Sequence, residues 1–178
     1  MKRLLLFAGL PAVGKSTISK RIGTESGATI VDVDDFKRTT VDPSVLAEQI
    51  DPPELRRAYY QKALDHVFRL LDSGVDTVIM DEVFHLRALR GQIENQCRSR
   101  GVDVQWIEVR CPYMVVERRL KSGTRDGHIL STDKALSMYR LFGDIFEAFP
   151  PDATNHIVIN NDDDAAIETA VASILAGA

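Results

Sequence analysis

The chain has 178 residues, of which 44% are hydrophobic and 27% charged, and its formal net charge at pH 7 is −4. These values suit a globular domain with a continuous core and exclude wholesale disorder. Non-specific nucleic-acid binding draws on a basic surface, so the overall charge disfavours nucleic acid as a partner but leaves room for a local basic groove. No apolar run approaches the roughly 20 residues that span a bilayer, and we expect no membrane partner.

The first residues imitate a secretory signal, because a basic pair, Lys2 and Arg3, precedes the short apolar run 4–8. That run breaks into a glycine–lysine motif, which a signal would leave unexplained. Cys97 and Cys111 have no metal-ligand spacing, and one pair is a poor staple for a chain of this size. We therefore predict a reduced, cytoplasmic setting.

Short apolar runs alternate with stretches of helical spacing along the chain. The predicted strands are 3–8, 28–32, 77–81, 104–109 and 156–159. The stripes of helical spacing begin at Ile18, Leu55, Leu86, Leu136 and Ala166. Continuous apolar strands are typical of a sheet covered on both faces, and the alternation predicts parallel strands with right-handed crossovers. The predicted fold class is α/β, a three-layer sandwich forming one domain over residues 1–178.

A phosphate-binding loop is predicted after the first strand, because residues 9–16 fit G-x-x-x-x-G-K-[ST] at each fixed position. Backbone N–H groups can converge on a polyphosphate only where no Cβ intrudes, which explains the glycines. The next helix points its N-terminus at the anion, Lys15 adds a charge for the β- and γ-phosphates, and Ser16 can ligate Mg²⁺. The residues assigned to the nucleotide are Gly9, Leu10, Pro11, Ala12, Val13, Gly14, Lys15, Ser16 and Thr17.

Acidic residues follow the second predicted strand. Side chains alternate along a strand, so Asp32 and Asp34 are expected to share a face. Phosphoryl transfer depends mainly on positioning and charge neutralisation, and a carboxylate beside the γ-phosphate is repelled unless it has a role. Asp34 is the candidate that accepts the acceptor's proton, and Asp32 the candidate near the magnesium water shell. For Asp34 the alternative is a solvated acidic turn that caps the next helix.

The third predicted strand ends in Asp81 and Glu82, which resembles a Walker B motif. Open α/β sheets place ligands at the carboxyl ends of strands, so Asp81 is assigned to Mg²⁺. Glu82 is typical of hydrolytic ATPases, where it polarises the attacking water. This feature keeps a P-loop ATPase, or a nucleotide-dependent switch, among the hypotheses.

Arginines cluster after the fourth predicted strand. Guanidinium groups stay charged and offer a planar fork to phosphate oxygens, so Arg118, Arg119 and Arg125 are candidate catalytic residues. By closing over the phosphates they would also exclude water. A solvated helix end is the alternative for each of them.

These features together resemble the small P-loop kinases, including gluconate kinases, antibiotic phosphotransferases and polynucleotide 5′-kinases. Residues 32–35 look like the D-x-D-D turn of gluconate kinases and overlap the D-D-[YF]-R turn of polynucleotide kinases, and residues 125–128 look like the R-x-G-H of gluconate kinases. Polynucleotide kinases carry a further arginine about where Ser122 falls in this chain, and it is absent here. Motifs typical of GTPases (N-K-x-D) and of ABC-type ATPases (L-S-G-G-Q) are also absent.

The resemblance implies the sheet order 2-3-1-4-5, a mobile lid near 118–130, and Asn160 close to the adenine. It also implies ATP and Mg²⁺ as cofactors, and transfer of the γ-phosphate of ATP to a hydroxyl of a small molecule. A polynucleotide 5′-hydroxyl kinase is the alternative. Residues from about 37 to 57, with His85, Arg87 and Arg90, are expected to border the acceptor pocket, where the basic ones could bind an acidic acceptor such as a sugar acid or a nucleic-acid phosphate. Of these, Arg56 and Arg57 are expected on an exposed helix face instead.

Overall fold

In the computed structural model, which describes residues 1–41, 50–122, 131–162 and 164–176, five strands form one parallel sheet. The strands are β1 (Arg3–Ala8), β2 (Thr29–Asp32), β3 (Thr77–Asp81), β4 (Asp103–Arg110) and β5 (His156–Asn160). Their order is β2-β3-β1-β4-β5, which confirms the predicted sheet. Each observed boundary lies within one residue of the predicted one.

Helices connect the strands and cover both faces of the sheet. Within the described ranges they are α1 (Lys15–Ser26), α2 (Val33–Thr40), α3 (Pro53–Asp72), α4 (Arg87–Ser99), α5 (Tyr113–Ser122), α6 (Thr132–Ile145) and α7 (Asp164–Ala176). The apolar stripes predicted α1, α3, α4, α6 and α7, whereas α2 and α5 were not marked by such a stripe. No helix in the described part of the chain is long and apolar enough to cross a membrane.

Helix α2 begins directly where β2 ends, and this corrects one expectation. Asp34 lies in the first turn of α2 and not on the strand, so the argument that Asp32 and Asp34 share a strand face is wrong. The physical reason is a helix cap. A carboxylate oxygen of Asp32 accepts a hydrogen bond of 2.9 Å from the N–H of Asp34, which satisfies one of the open donors at the helix start.

The sheet separates two hydrophobic cores, because successive residues of β1 point to opposite faces. Leu4 and Leu6 pack with buried residues of α3 and α4, while Leu5 and Phe7 pack with those of α1 and α7. The first core also contains Tyr59, Tyr60 and Phe68 of α3. Cys97 and Cys111 are free and buried. The rigid layers hold the carboxyl ends of all five strands along one edge.

Truncation of a strand residue is expected to destabilise the protein according to its burial. Val78 in β3 is fully buried, whereas Val158 in β5 is 39% exposed. Val78→Ala removes two buried methyl groups and leaves a cavity, so it should lower the free energy of unfolding by about 2 kcal/mol or more. Val158→Ala should cost less than about 1 kcal/mol. Urea unfolding monitored by circular dichroism measures both, and equal losses would contradict the assigned sheet faces.

Candidate active site

The loop between β1 and α1 passes very close to the neighbouring strand ends. Gly9 has φ of 138° and Gly14 has φ of 94°, and both values lie in the region that favours glycine. A Cβ at Gly9 would lie 2.3 Å from the carbonyl oxygen of Val109 in β4. The N–H of Gly9 also donates to the carbonyl of Val83, after β3, at 3.2 Å. Glycine is therefore required by packing at this point as well as by the turn.

Lys15 crosses back over the loop that precedes it. Its side chain is buried, and its ammonium donates to the carbonyl oxygens of Gly9 and Leu10, each at 3.0 Å. Gly14 caps α1 without any side chain. A charged ammonium beside a helix N-terminus that no side chain caps is an arrangement suited to an anion.

Asp81 and Ser16 meet beside this lysine. The hydroxyl of Ser19 donates to the Asp81 carboxylate at 3.4 Å, and Ser16 is close enough to Asp81 to lower its pKa. Burial raises the pKa of Asp81, while Lys15 and the two serines oppose that shift. A hydroxyl and a carboxylate are the oxygen ligands that suit Mg²⁺, which keeps several waters. Among the described residues, no group of three or more His, Cys, Asp or Glu side chains is placed to hold a metal ion, and the assignment of Asp81 and Ser16 to Mg²⁺ stays a prediction.

Asp32 lies opposite Asp81, because the two residues are partners in the register of β2 and β3. One of its oxygens caps α2. The assignment of Asp32 to the magnesium water shell stays a prediction.

Asp34 lies next to this acidic pair. The residue is exposed to solvent, yet partial desolvation of its carboxyl group by the surrounding protein raises its pKa, and the charges of Glu82 and Asp32 raise it further. The cations of Lys37 and Arg38 act in the opposite direction. The carboxylate is thus a stronger base than an ordinary aspartate, as a proton acceptor in the centre of a site should be.

A buried ion pair holds Glu82, and it was missed from the sequence. Arg56 is only 3% exposed, so the expectation that it lies on an exposed helix face is wrong. Its Nη1 donates to Glu82 at 2.9 Å, and the hydroxyl of Tyr60 donates to the same oxygen at 3.3 Å. Arg57, as expected, is exposed. The signal was present in the sequence, because position 56 continues the buried stripe 60, 63 and 67 towards the N-terminus of α3.

Asn161 joins the phosphate loop to α5, and the sequence did not single out its role. Its side-chain amide donates to the carbonyl of Val13 at 2.6 Å, and its own carbonyl accepts from Arg119 at 2.8 Å. A Cβ at Gly14 would lie 2.1 Å from that amide nitrogen. Arg118 and Arg119 are both exposed, but Arg119 also donates to the protein through its bond to Asn161. Arg125 lies outside the described residues.

A cavity of about 650 Å³ opens at the carboxyl ends of β1, β4 and β5. Its lining includes Leu10 of the phosphate loop, Pro112 after β4, and Asn160 at the end of β5. Tyr139 and Phe146, on and just after α6, form the facing wall. The structure thus places Asn160 beside an aromatic cavity that adjoins the phosphate loop.

Arg87 and Arg90, the two arginines after β3, donate to backbone carbonyls. Arg90 is buried and donates to the carbonyls of Phe84 and Glu147, at 2.7 and 2.6 Å. Arg87 donates to the carbonyl of Ala148 at 3.1 Å. These two arginines fasten the segment after α6 to the loop after β3.

Comparison with known proteins agrees with this geometry. A family model described as an AAA domain matches residues 4–138, which include the phosphate loop, Asp34, Asp81 and α5. The chain belongs to this AAA domain family. No curated protein sequence matches the chain itself.

Solved structures share the fold of this AAA domain. A sugar kinase from Janibacter sp. HTCC2649 is 21% identical, with a TM-score of 0.73 over 98% of this chain and 95% of that one. A gluconokinase from Sinorhizobium meliloti 1021 is 11% identical, with a TM-score of 0.68 over 97% and 93%. The resemblance to small P-loop kinases is therefore confirmed at the level of the fold.

Gly14→Ala is expected to disable the phosphate loop. The methyl group would meet the Asn161 amide at 2.1 Å, at a φ of 94° that alanine rarely adopts. The affinity for ATP, measured by calorimetry, should fall at least about tenfold, since strain at such a position costs of order 1–3 kcal/mol. Gly91→Ala in α4 is the matched control, because a Cβ there meets nothing within 4 Å. Equal affinity in the two variants would contradict the proposed cradle.

Proposed function

We propose that the protein is an ATP-dependent phosphotransferase that moves the γ-phosphate of ATP to a hydroxyl group of a small molecule. The observation that carries the proposal is the juxtaposition at the ends of β2 and β3. Asp81 and Ser16 lie beside Lys15, and Asp34, two residues beyond the register partner of Asp81, is close enough to feel the charge of Glu82. We infer that the phosphate cradle and this basic carboxylate serve one reaction.

Each group has a defined task in this reaction. The loop amides and Lys15 hold the β- and γ-phosphates. The acceptor oxygen bonds to the γ-phosphorus while the bond from that phosphorus to the β–γ bridging oxygen breaks, Asp34 takes the hydroxyl proton, and ADP leaves. Mg²⁺ held through Ser16 and Asp81 supplies positive charge to the phosphate oxygens. The adenosine occupies the cavity beside Asn160, Tyr139 and Phe146, whose lining is partly aromatic.

Glu82 carries the second candidate function, ATP hydrolysis. One oxygen of Glu82 accepts hydrogen bonds from both Arg56 and Tyr60, which fixes the position of the side chain. Breaking this pairing would leave the buried Arg56 without that partner, which is costly. The other carboxylate oxygen takes no part in these bonds, so a P-loop ATPase stays the second candidate.

The lid near 118–130 is part of the proposal. Arg118 stands near the end of α5, exposed, and the segment that carries Arg125 follows directly. Closure of these arginines over the phosphates would keep water from replacing the acceptor. Arg119 is proposed as the anchor of α5, through Asn161, in the open state.

Asp34→Asn is expected to abolish transfer while nucleotide still binds. A positioned base usually contributes roughly 10²–10⁴-fold, so kcat for phosphate transfer from labelled ATP should fall by about that factor with an unchanged Kd for ATP. Asp133→Asn is the control, since Asp133 is an exposed aspartate at the equivalent position of α6. Unchanged turnover in Asp34→Asn would remove this residue from the mechanism. Full activity in Lys15→Ala would overturn the cradle assignment.

The acid limb of the pH–rate profile should reflect Asp34. A base works only when deprotonated, and its pKa is raised above the ordinary value of 3.8 for an aspartate. Activity should therefore be lost, as pH falls, at a higher pH than an ordinary aspartate would give. Lys37→Met removes a cation that lowers this pKa, so it should move the limb still higher. A profile of kcat against pH from 4 to 8 measures both; a shift to lower pH in Lys37→Met would refute the assignment.

A further inference from the structure

The cations that face Asp34 are already occupied. Lys37 and Arg38, one helical turn beyond it on α2, are the positive charges that act on its carboxylate. The ammonium of Lys37 lies 2.7 Å from a carboxylate oxygen of Asp51, and the guanidinium of Arg38 lies 2.6 Å from Asp35. Neither has an unmatched charge to offer a ligand.

The next cation inward is matched in the same way. Arg56 pairs with Glu82 at 2.9 Å and approaches Asp51 at 3.8 Å. Asp51 is buried and also accepts from the hydroxyl of Tyr59 at 3.1 Å. Lys37, Arg38 and Arg56 are thus balanced by three carboxylates, and Asp34 adds a negative charge beyond that balance.

Among the described residues on this side of the sheet, three further basic side chains do not change the balance. Arg87 and Arg90 donate to backbone carbonyls, as described above. Burial lowers the pKa of His85 to about 4, so its imidazole is uncharged at neutral pH. The arginines of the proposed lid are assigned to the phosphates of ATP and not to the acceptor.

The physical consequence concerns the charge of the acceptor. A carboxylate or phosphate on the acceptor would need a cation to replace its lost hydration. Taking Lys37 or Arg56 for that purpose would leave the buried Asp51 or Glu82 short of its partner. Hydroxyl groups need only hydrogen bonds. Arg56 Nε and His85 Nδ1 are buried and have no hydrogen-bond partner in the described structure. Both side chains contact the ring of Phe142.

We propose that the acceptor is an uncharged polyhydroxylated molecule, and that the paired cations Lys37, Arg38 and Arg56 select against sugar acids and nucleic-acid ends. This inference rests on the proposed function, in which Asp34 receives the acceptor's proton. It assigns to Asp35, Asp51 and Glu82 the role of specificity-determining residues, which act by neutralising the cations around the acceptor.

The test compares acceptors that differ only in charge. Sorbitol, gluconate and 1-amino-1-deoxysorbitol share one hydroxylated chain and end in an alcohol, a carboxylate or an ammonium group. Shorter pairs, such as xylitol with xylonate and erythritol with erythronate, cover smaller pockets. We expect kcat/KM for transfer from labelled ATP to be at least about tenfold higher for the polyol than for its acid. The difference should shrink as salt rises from about 10 mM to 500 mM, because salt screens charge.

Two variants test the role of the pairing. Asp35→Asn frees the exposed Arg38, and Asp51→Asn frees Lys37, so each should narrow the preference for sorbitol over gluconate by several-fold. Asp133→Asn, remote from these pairs, should leave the preference unchanged. Because Asp51 is buried, its variant is checked for folding by circular dichroism, and Asp35→Asn supplies the same test at an exposed pair.

Each result separates the two proposals. Equal or better use of gluconate by the unaltered protein would overturn the charge selection while leaving the kinase function intact. A preference for the amine would also overturn it, in favour of a cationic acceptor. ATP binding without transfer to any acceptor would overturn the kinase function itself. Unaltered preference in both Asp35→Asn and Asp51→Asn would show that the paired cations do not set the selectivity.

Discussion

The structure depends on how closely the backbone of the phosphate loop approaches the strand ends around it. A side chain at Gly9 would collide with the carbonyl of Val109 in β4. A side chain at Gly14 would collide with the side-chain amide of Asn161. Backbone N–H groups can surround a phosphate only if the chain is packed this tightly. The order of the sheet places β1 between β3 and β4, so the loop is held from both sides. The other groups of the site are arranged around this fixed point.

Several buried charged side chains lie near the loop on the side of β2 and β3, and they are stabilised by ion pairs with one another. Glu82 and Asp51 would be costly to bury alone, and Arg56 would be as costly without them. Asp34 differs, since burial and two neighbouring acids outweigh its cations and raise its pKa. Glu82, Asp51 and Asp35 each have a close cation. Asp34 is the carboxylate that we propose as the base, because its pKa is raised.

The sequence predicted the architecture well, because the signals for it are local or repetitive. Continuous apolar strands and helical stripes are set by burial on two faces, and the glycine–lysine motif is set by phosphate geometry. Helix α2 was missed because its start depends on a side-chain cap at Asp32, which no apolar periodicity reveals. The pairing of Arg56 with Glu82 joins residues 26 positions apart, and Asn161 reaches Val13 across 148. The helical stripe could have indicated that Arg56 is buried, but the partners in these contacts are set by the assembled sheet and cannot be inferred from local sequence.

The bonds of Asn161 have a consequence for how mutants of this protein combine. The side-chain amide of Asn161 donates to Val13 in the phosphate loop, and its backbone carbonyl accepts a hydrogen bond from Arg119 of α5. Substitutions at Arg119 and in the phosphate loop therefore share an intermediary, although their own side chains need not touch. Their free-energy changes will not sum, because each alters the same backbone segment after β5. The stability of the phosphate loop is thus coupled to the segment that contains Asn161, 148 residues after Val13 in the chain.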